Sequence, residues 1–533
     1  MKQEYLAFSK TGYFSSLICD YLDEKVELKP FYNRFPEIKN FKPQIEEKAG
    51  SFSVENRKTL VSVLKEQYKN TEASQQTIKN INSLSLENTF TVTTGHQLNL
   101  FTGPLYFLYK IVSTINLAKT LKHQYPEQNF VPVYWMATED HDFDEINYFN
   151  YKGKKFQWNK KASGAVGTLL TNGLNEVFKL FAKDLGNTLQ AEKIKQLFEN
   201  AYVKHDNLTN ATRFLANSLF KDYGLVIIDA NDAGLKQKFI PFLENELFNQ
   251  TSFHTVSKTN EKLSKASENY KIQVNPREIN IFYLNKNIRE RIVFESDVFK
   301  VLNTNITWSK QELETELLKH SERFSPNVIM RPLYQEVILP NLCYIGGGGE
   351  LAYWLQLKDY FEAVNIPFPI LLLRNSVLIE TEKQAEKLLK LNISNEDLFL
   401  KRNVLINKKV REISNIDIDF SSQKTHLKNQ FKDLYSLAKQ TDKSFLGAVK
   451  AQEVKQIKGL ENLEKRLLKA QKKKLSSEVE RMIDIQNELF PSGSLQERNT
   501  NFSEFYLEYG ETLIPNLIKS LEPLKSEFLI LKV

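Results

Sequence analysis

Phe90-Thr91-Val92-Thr93-Thr94-Gly95-His96-Gln97-Leu98-Asn99-Leu100-Phe101-Thr102-Gly103-Pro104 is the stretch that decides the fold. Residues 90–93 have the β-branched and aromatic composition of a buried strand, and Gly95 stops it. From 105 to 121 apolar residues recur at helical spacing: Leu105, Leu108, Ile111, Val112, Ile115 and Ala118. Pro104 falls where a first helical turn tolerates proline. Val131-Pro132-Val133-Tyr134-Trp135-Met136 reads as the next strand. Strand, helix and strand in this succession predict a βαβ unit and a parallel sheet. In such sheets ligands bind beyond the carboxyl ends of the strands, beside the next helix N-terminus. That places Gly95, His96, Gln97, Asn99, Thr102 and Gly103 as candidate binding residues. The plain alternative is an ordinary polar turn. The stretch is neither a Walker A loop nor a GxGxxG fingerprint.

Two further blocks stand out. Thr138-Glu139-Asp140-His141-Asp142-Phe143-Asp144-Glu145 follows the second strand. Carboxylates this crowded cannot all be buried unpaired, and they shift one another's pKa. Asp140, His141 and Asp142 are the candidates for orienting or deprotonating an amine, with Glu145 beside them. The alternative is a solvated acidic helix start. Tyr344-Ile345-Gly346-Gly347-Gly348-Gly349-Glu350-Leu351-Ala352-Tyr353-Trp354 runs from a strand through four glycines into a helix. Four consecutive glycines carry a large entropic cost on folding, so close backbone approach to a ligand is the better reading than a hinge. Tyr344, the four glycines, Glu350 and Tyr353 are therefore candidates. Arg331 and Arg374 read as strand-end anion contacts, a surface ion pair being the equal alternative.

Later apolar runs at 225–229, 328–333, 342–345 and 370–373 read as further strands, with a strand pair near 279–284 and 288–293. The core is assigned to residues 1–375, with insertions near 150–215 and 231–325. No proline occurs between Ile370 and Phe490, and Leu460, Leu463, Leu467 and Ala470 keep heptad spacing. Leu475, Met482 and Leu489 continue the stripe after a one-residue slip. This predicts a helical hairpin or coiled coil over 376–490, with 491–533 packing back on the core.

The chain has 533 residues, two cysteines and a net charge of +7, so disulfide frameworks and four-cysteine zinc sites are excluded. No metal constellation is legible. Cys343 reads as a small core residue, and Lys472, Lys473 and Lys474 as a solvated helix face. The start lacks a signal peptide and no run is apolar enough to span a bilayer, so a cytoplasmic protein without membrane partner is expected. The modest charge does not mark a nucleic-acid binder.

Taken together the blocks resemble one family, the proposed cysteine ligases of bacillithiol biosynthesis (BshC). The resemblance rests on Thr94-Gly95-His96-Gln97 with Leu100-Phe101-Thr102-Gly103-Pro104, on Trp135-Met136-Ala137-Thr138-Glu139-Asp140-His141-Asp142-Phe143-Asp144-Glu145, on Gly349-Glu350-Leu351-Ala352-Tyr353-Trp354, and on Leu489-Phe490-Pro491-Ser492-Gly493. It implies a Rossmann-like α/β core with connecting-peptide insertions, plus a C-terminal α-helical coiled coil holding a homodimer. The implied reaction joins cysteine to the amine of glucosaminyl-malate. The cofactor is unknown. ATP, with magnesium, is expected by analogy to related synthetases, although their His-x-Gly-His and Lys-Met-Ser-Lys-Ser signatures are both missing here. The alternatives are a nucleotidyltransferase acting on a small phosphorylated acceptor and a non-enzymatic nucleotide-binding scaffold.

Overall fold

The computed structural model describes residues 2–533. Two compact units emerge. One takes in residues up to Ser9, Tyr13–Leu378 and Ser494–Leu531, and the other Lys10–Gly12, Ile379–Gly493 and Lys532–Val533.

The first unit is built on a five-stranded sheet. Its strands are β1 (Thr89–His96), β2 (Asn129–Met136), β3 (Val226–Asp229), β4 (Asn341–Gly346) and β5 (Ile370–Leu373), in the order β5-β4-β1-β2-β3. Every neighbouring pair is parallel, with His96 opposite Met136, Met136 opposite Asp229, and Gly346 opposite Leu373. All five carboxyl ends therefore share one edge. The order reverses between β1 and β4, which makes that gap the switch point where open α/β sheets bind ligands.

β1 is buried throughout, yet five of its eight residues are polar: Thr89, Thr91, Thr93, Thr94 and His96. Phe90 and Val92 join an apolar cluster with Leu117, Leu121, Leu342, Ile345 and Ile370. On the other face Thr93 and Thr91 donate to Asn341 Oδ1 (2.8 and 3.3 Å). Asn341 in turn donates to Glu336 (2.7 Å), which pairs with Lys48 (3.1 Å). A strand that alternates threonine with phenylalanine and valine thus satisfies two different buried layers. The helix α1 (Tyr106–Gln124) completes the predicted βαβ unit.

The expected strand at 328–333 is instead the start of a helix, α2 (Met330–Ile338). Asn327 Oδ1 accepts from the Ile329 and Met330 amides (2.9 and 3.3 Å) and starts the turn. Pro332 lies in the first turn, where its missing N–H costs nothing. Leu333, Tyr334, Val337 and Ile338 continue the buried face at helical spacing. The short run Val328-Ile329-Met330 could not reveal that period by itself. Arg331 accordingly sits in a helical first turn, not at a strand end.

Residues between β2 and β3 add a hairpin (Tyr148–Tyr151 with Lys154–Gln157) and three helices, Leu174–Leu185, Leu189–Tyr202 and Leu208–Phe220. Between β3 and β4 comes a second, antiparallel sheet that includes the pair Ile281–Asn285 and Ile288–Glu295. The helix α3 (Gly348–Trp354) follows β4.

The second unit is helical. Its main elements are α4 (Arg402–Ile413), α5 (Ser421–Ala438), α6 (Lys443–Lys474) and α7 (Ser476–Leu489). Ile406, Val410, Ile418 and Leu468 form one small core; Phe431, Ala438 and Val449 form another. The slip in the heptad stripe coincides with the break between α6 and α7 at Leu475. Among the described residues no helix is long and apolar enough to cross a membrane.

Candidate active site

A cleft of about 1170 Å³ opens at the switch point of the first unit. The ends of β1, β2, β4 and β5 deliver His96, Met136, the residues after Gly346, and Arg374 to it.

The innermost cluster centres on Glu350, near the start of α3. Its carboxylate accepts from Tyr344 Oη (2.6 Å) and the Gly347 amide (2.8 Å), and pairs with Lys110 Nζ at 2.5 Å. Lys110, from α1, also donates to the Gly95 carbonyl (2.7 Å). Burial acts to raise the Glu350 carboxyl, but Lys110 and these donors outweigh it and hold it below its ordinary value. Burial pushes the Lys110 ammonium down, against the pull of Glu350. Lys110 Nζ thus has two acceptors, Glu350 and the Gly95 carbonyl, and a third donor hydrogen left over.

Arginines flank this cluster. Arg331 donates to Gln335 (3.1 Å) and to Tyr353 Oη (3.3 Å), with its guanidinium over the Tyr344 and Trp135 rings. Arg374 is anchored by buried Glu497 (2.8 Å), and its guanidinium lies 5.0 Å from the Tyr106 ring centroid. Its Nε is buried with no partner among the described residues.

His96 stacks on Tyr106 and meets Phe107 edge-on. Nδ1 donates to the Gln97 carbonyl (2.8 Å), which leaves Nε2 as a buried acceptor without a partner among the described residues. Desolvation, reinforced by Lys110, pushes the imidazole down to about 3, so it is neutral at physiological pH.

The acidic block forms the opposite side. Gln97 Nε2 donates to both Asp140 (2.8 Å) and Glu145 (2.9 Å). Asp140 also accepts from the His141 and Asp142 amides (2.7 and 3.4 Å). Burial acts to raise its carboxyl, and the bonds from His141 and Gln97 outweigh that and hold it well below the carboxylate range. A carboxylate so stabilised is a weak base. His141, half exposed, lies against Phe282, and Arg289 donates to its Nδ1 at 2.7 Å. A guanidinium can only donate, so neutral His141 carries its proton on Nε2. Glu139 pairs with buried Lys236 at 2.5 Å.

Of the sequence candidates, Gly95, His96, Gln97, Asp140, His141, Glu145, Arg331, Tyr344, Gly347, Gly348, Gly349, Glu350, Tyr353 and Arg374 line this one cleft. Asn99, Thr102, Gly103, Asp142 and Gly346 do not line it; they shape what does. Asn99 donates to the Glu145 carbonyl (3.3 Å), and Gly103 has φ +62° with Asn99 packed where a Cβ would sit. Phe101 and Thr102 also have positive φ, and Phe101 is buried among Phe149, Phe181, Phe198 and Phe502. Gly346 has no room for a Cβ beside Leu351 and Tyr344.

A family model described as "Bacillithiol biosynthesis BshC, N-terminal Rossmann-like domain" matches residues 1–375. A second, "Bacillithiol biosynthesis BshC, C-terminal coiled-coil domain", matches 377–533. The chain belongs to the BshC family. A relative from Flavobacterium johnsoniae is 61% identical over 533 residues, covering 100% of both chains. One from Cytophaga hutchinsonii is 37% identical, covering 98% of this chain and 97% of its own. One from Bacillus cereus is 29% identical, covering 94% and 95%. Each carries the name "Putative cysteine ligase BshC".

In this BshC-family chain, sequence reasoning missed Lys110, Tyr106, Lys236, Arg277, Arg289, Arg291 and Arg498. Lys110 and Tyr106 were legible only as helix positions. A lysine between Tyr109 and Ile111, within a largely apolar helix, was the one available signal. The three arginines from 277 to 291 lie on an insertion whose docking beside the acidic block no local pattern encodes.

Proposed function

We propose that this chain joins the carboxyl carbon of cysteine to the free amine of glucosaminyl-malate, completing bacillithiol. One observation carries the reading. In a family whose relatives bear the cysteine ligase name, the three sequence blocks converge on a single cleft with separate acidic and basic walls. An amide-forming site needs both, because it must hold a cationic or neutral amine beside an anionic carboxyl group.

Asp140 and Glu145, both held by Gln97, orient the amine, with Asp142 fixing the Asp140 loop through its amide. His141 offers an Nε2–H to an oxygen of the substrate. Neutral His96 accepts a hydrogen bond through Nε2. Lys110, Arg331 and Arg374 face the acyl and anionic groups as donors, with Glu350 and the glycines Gly347, Gly348 and Gly349 forming the wall between. Carboxyl activation requires an energy source, and ATP with magnesium is the reading by analogy. The unpartnered buried Arg374 Nε suits an oxyanion of that kind. When bound, the nucleotide supplies the leaving group that the cysteine carboxyl lacks.

The working protein would be a cytoplasmic homodimer, paired through the helical unit and without nucleic-acid or membrane partner. Leu437, Phe445, Val454 and Leu463 are exposed apolar residues there, and light scattering reads the mass directly. Metabolite analysis of a deletion strain tests the reaction itself. The thiol should disappear while the cysteine-free precursor builds up. Unchanged thiol would overturn the reading.

A further inference from the structure

Residues 271–280 form no helix or strand, yet Gln273, Val274, Asn275 and Arg277 make one rim of the cleft. Backbone without a ladder must find other partners. Two buried side-chain clamps supply them. Gln356 Oε1 accepts from the Gln273 and Val274 amides (2.9 and 3.1 Å), and its Nε2 donates to the Val274 carbonyl (2.7 Å) and Asn260 (2.5 Å). Asn280 Oδ1 accepts from the Arg277 amide (3.0 Å), and Nδ2 donates to the Arg277 carbonyl (2.7 Å).

Behind Asn280 stands Glu246, buried completely. It accepts from the Asn280 amide (2.9 Å) and Nδ2 (3.0 Å) and from the Ser252 hydroxyl (2.7 Å) and amide (3.2 Å). Asn280 Oδ1 also accepts from Asn327 Nδ2 (2.8 Å), the residue that caps α2. One network therefore grips the Arg277 backbone and the helix start bearing Arg331. A buried carboxylate is a costly way to hold a loop, and fixing one geometry is the return it can give. The Arg277 side chain is exposed on the rim and has no hydrogen bond or ion pair among the described residues. A guanidinium fork on a preorganised backbone matches a carboxylate or phosphate with little ordering cost.

We propose that Arg277 anchors an oxyanion of a substrate, and that Asn280, backed by Glu246, is its positioning residue. The inference rests on the ligase reading, which provides two anionic substrates: the dicarboxylate end of glucosaminyl-malate and the phosphates of ATP.

Calorimetric Kd values for glucosaminyl-malate and for ATP, with steady-state KM and kcat, test it on the full chain. Arg277→Ala should weaken one ligand about tenfold in Kd and KM, more than it lowers kcat, and Arg277→Lys should restore part of the loss. The acceptor changing identifies a carboxylate, and ATP changing identifies phosphate. Asn280→Ala should weaken the same ligand, and its effect should shrink in the Arg277→Ala background, because it acts mainly through Arg277 and only the share passed through Asn327 to Arg331 remains. Glu246→Gln keeps the shape and provides the same test if Asn280→Ala does not fold. Unchanged Kd for both ligands in Arg277→Ala would overturn the proposal. So would multiplying losses in the double variant, or a lowered Tm in the positioning variants with both affinities intact. A wild-type chain that binds both ligands but forms no amide would sink the ligase reading alone.

Discussion

Gly349 and Gly346 differ in what a methyl group would meet. No described residue lies within 4 Å of a Cβ at Gly349, whereas one at Gly346 would sit 2.9 Å from Leu351 and Tyr344. Gly349→Ala should therefore keep or slightly raise Tm, since alanine is the better helix former by up to about 1 kcal/mol. Its ligation activity should fall at least tenfold if substrate approaches that backbone. Gly346→Ala should lower Tm and activity together, and comparing the two separates packing from ligand contact. His96 makes a different prediction. It is neutral in the fold down to about pH 3, while the unfolded chain takes up this proton below about 6.5. Its contribution is fully present above 6.5 and is lost as pH falls toward 3, at a slope of up to about 1.4 kcal/mol per pH unit. Urea midpoints measured from pH 7 to 4 should fall less steeply in His96→Gln than in the unaltered chain.

The turn after β1 shows how an element can carry strain for a site it barely touches. Three consecutive residues, Phe101, Thr102 and Gly103, have positive φ. Asn501 Nδ2 donates to the carbonyls of Phe101 (2.8 Å) and Gly103 (2.6 Å) and so holds the turn. Asn501→Ala would leave two buried carbonyls short of a donor, at a cost of about 2–3 kcal/mol. Because the turn aligns Gln97 and Asn99 against the acidic block, activity should drop further than the Tm change alone explains. Thermal melts alongside kcat/KM decide this. The sequence showed that a glycine-punctuated turn stood here, and it showed the polar residues in it. It could not show that Phe101 plugs an aromatic core rather than a ligand site, because that core is assembled from 149, 181, 198 and 502.

Across the first unit, the site depends on residues far apart in the chain. Glu497 is fully buried and accepts from Arg374 (2.8 Å) and from the Val377 amide (3.0 Å). Glu497→Ala strands a buried guanidinium and should cost about 3–5 kcal/mol of stability, with loss of ligation, as denaturant titration and product assay would read. Three of the site's walls were legible beforehand because each is a contiguous block at a strand end: 94–97, 138–145 and 344–354. The sequence of 328–333 was not, because a short run, apolar but for Arg331, fits a strand and a helix equally. Arg331 reached the cleft by the helical route.

The sequence alone determined the parallel sheet, the helical second unit and the identity of the polar blocks, since each is written in local period and composition. Only the tertiary structure decided their chemistry. It set β4 beside β1, so that Lys110 neutralises Glu350 across the switch point. It buried His96 and lowered its basicity, occupied the oxygens of Asp140, and brought Arg277 and Arg289 from an insertion to the cleft. Charge state and orientation depend on burial and on partners distant in sequence, and neither is a property of any stretch read by itself.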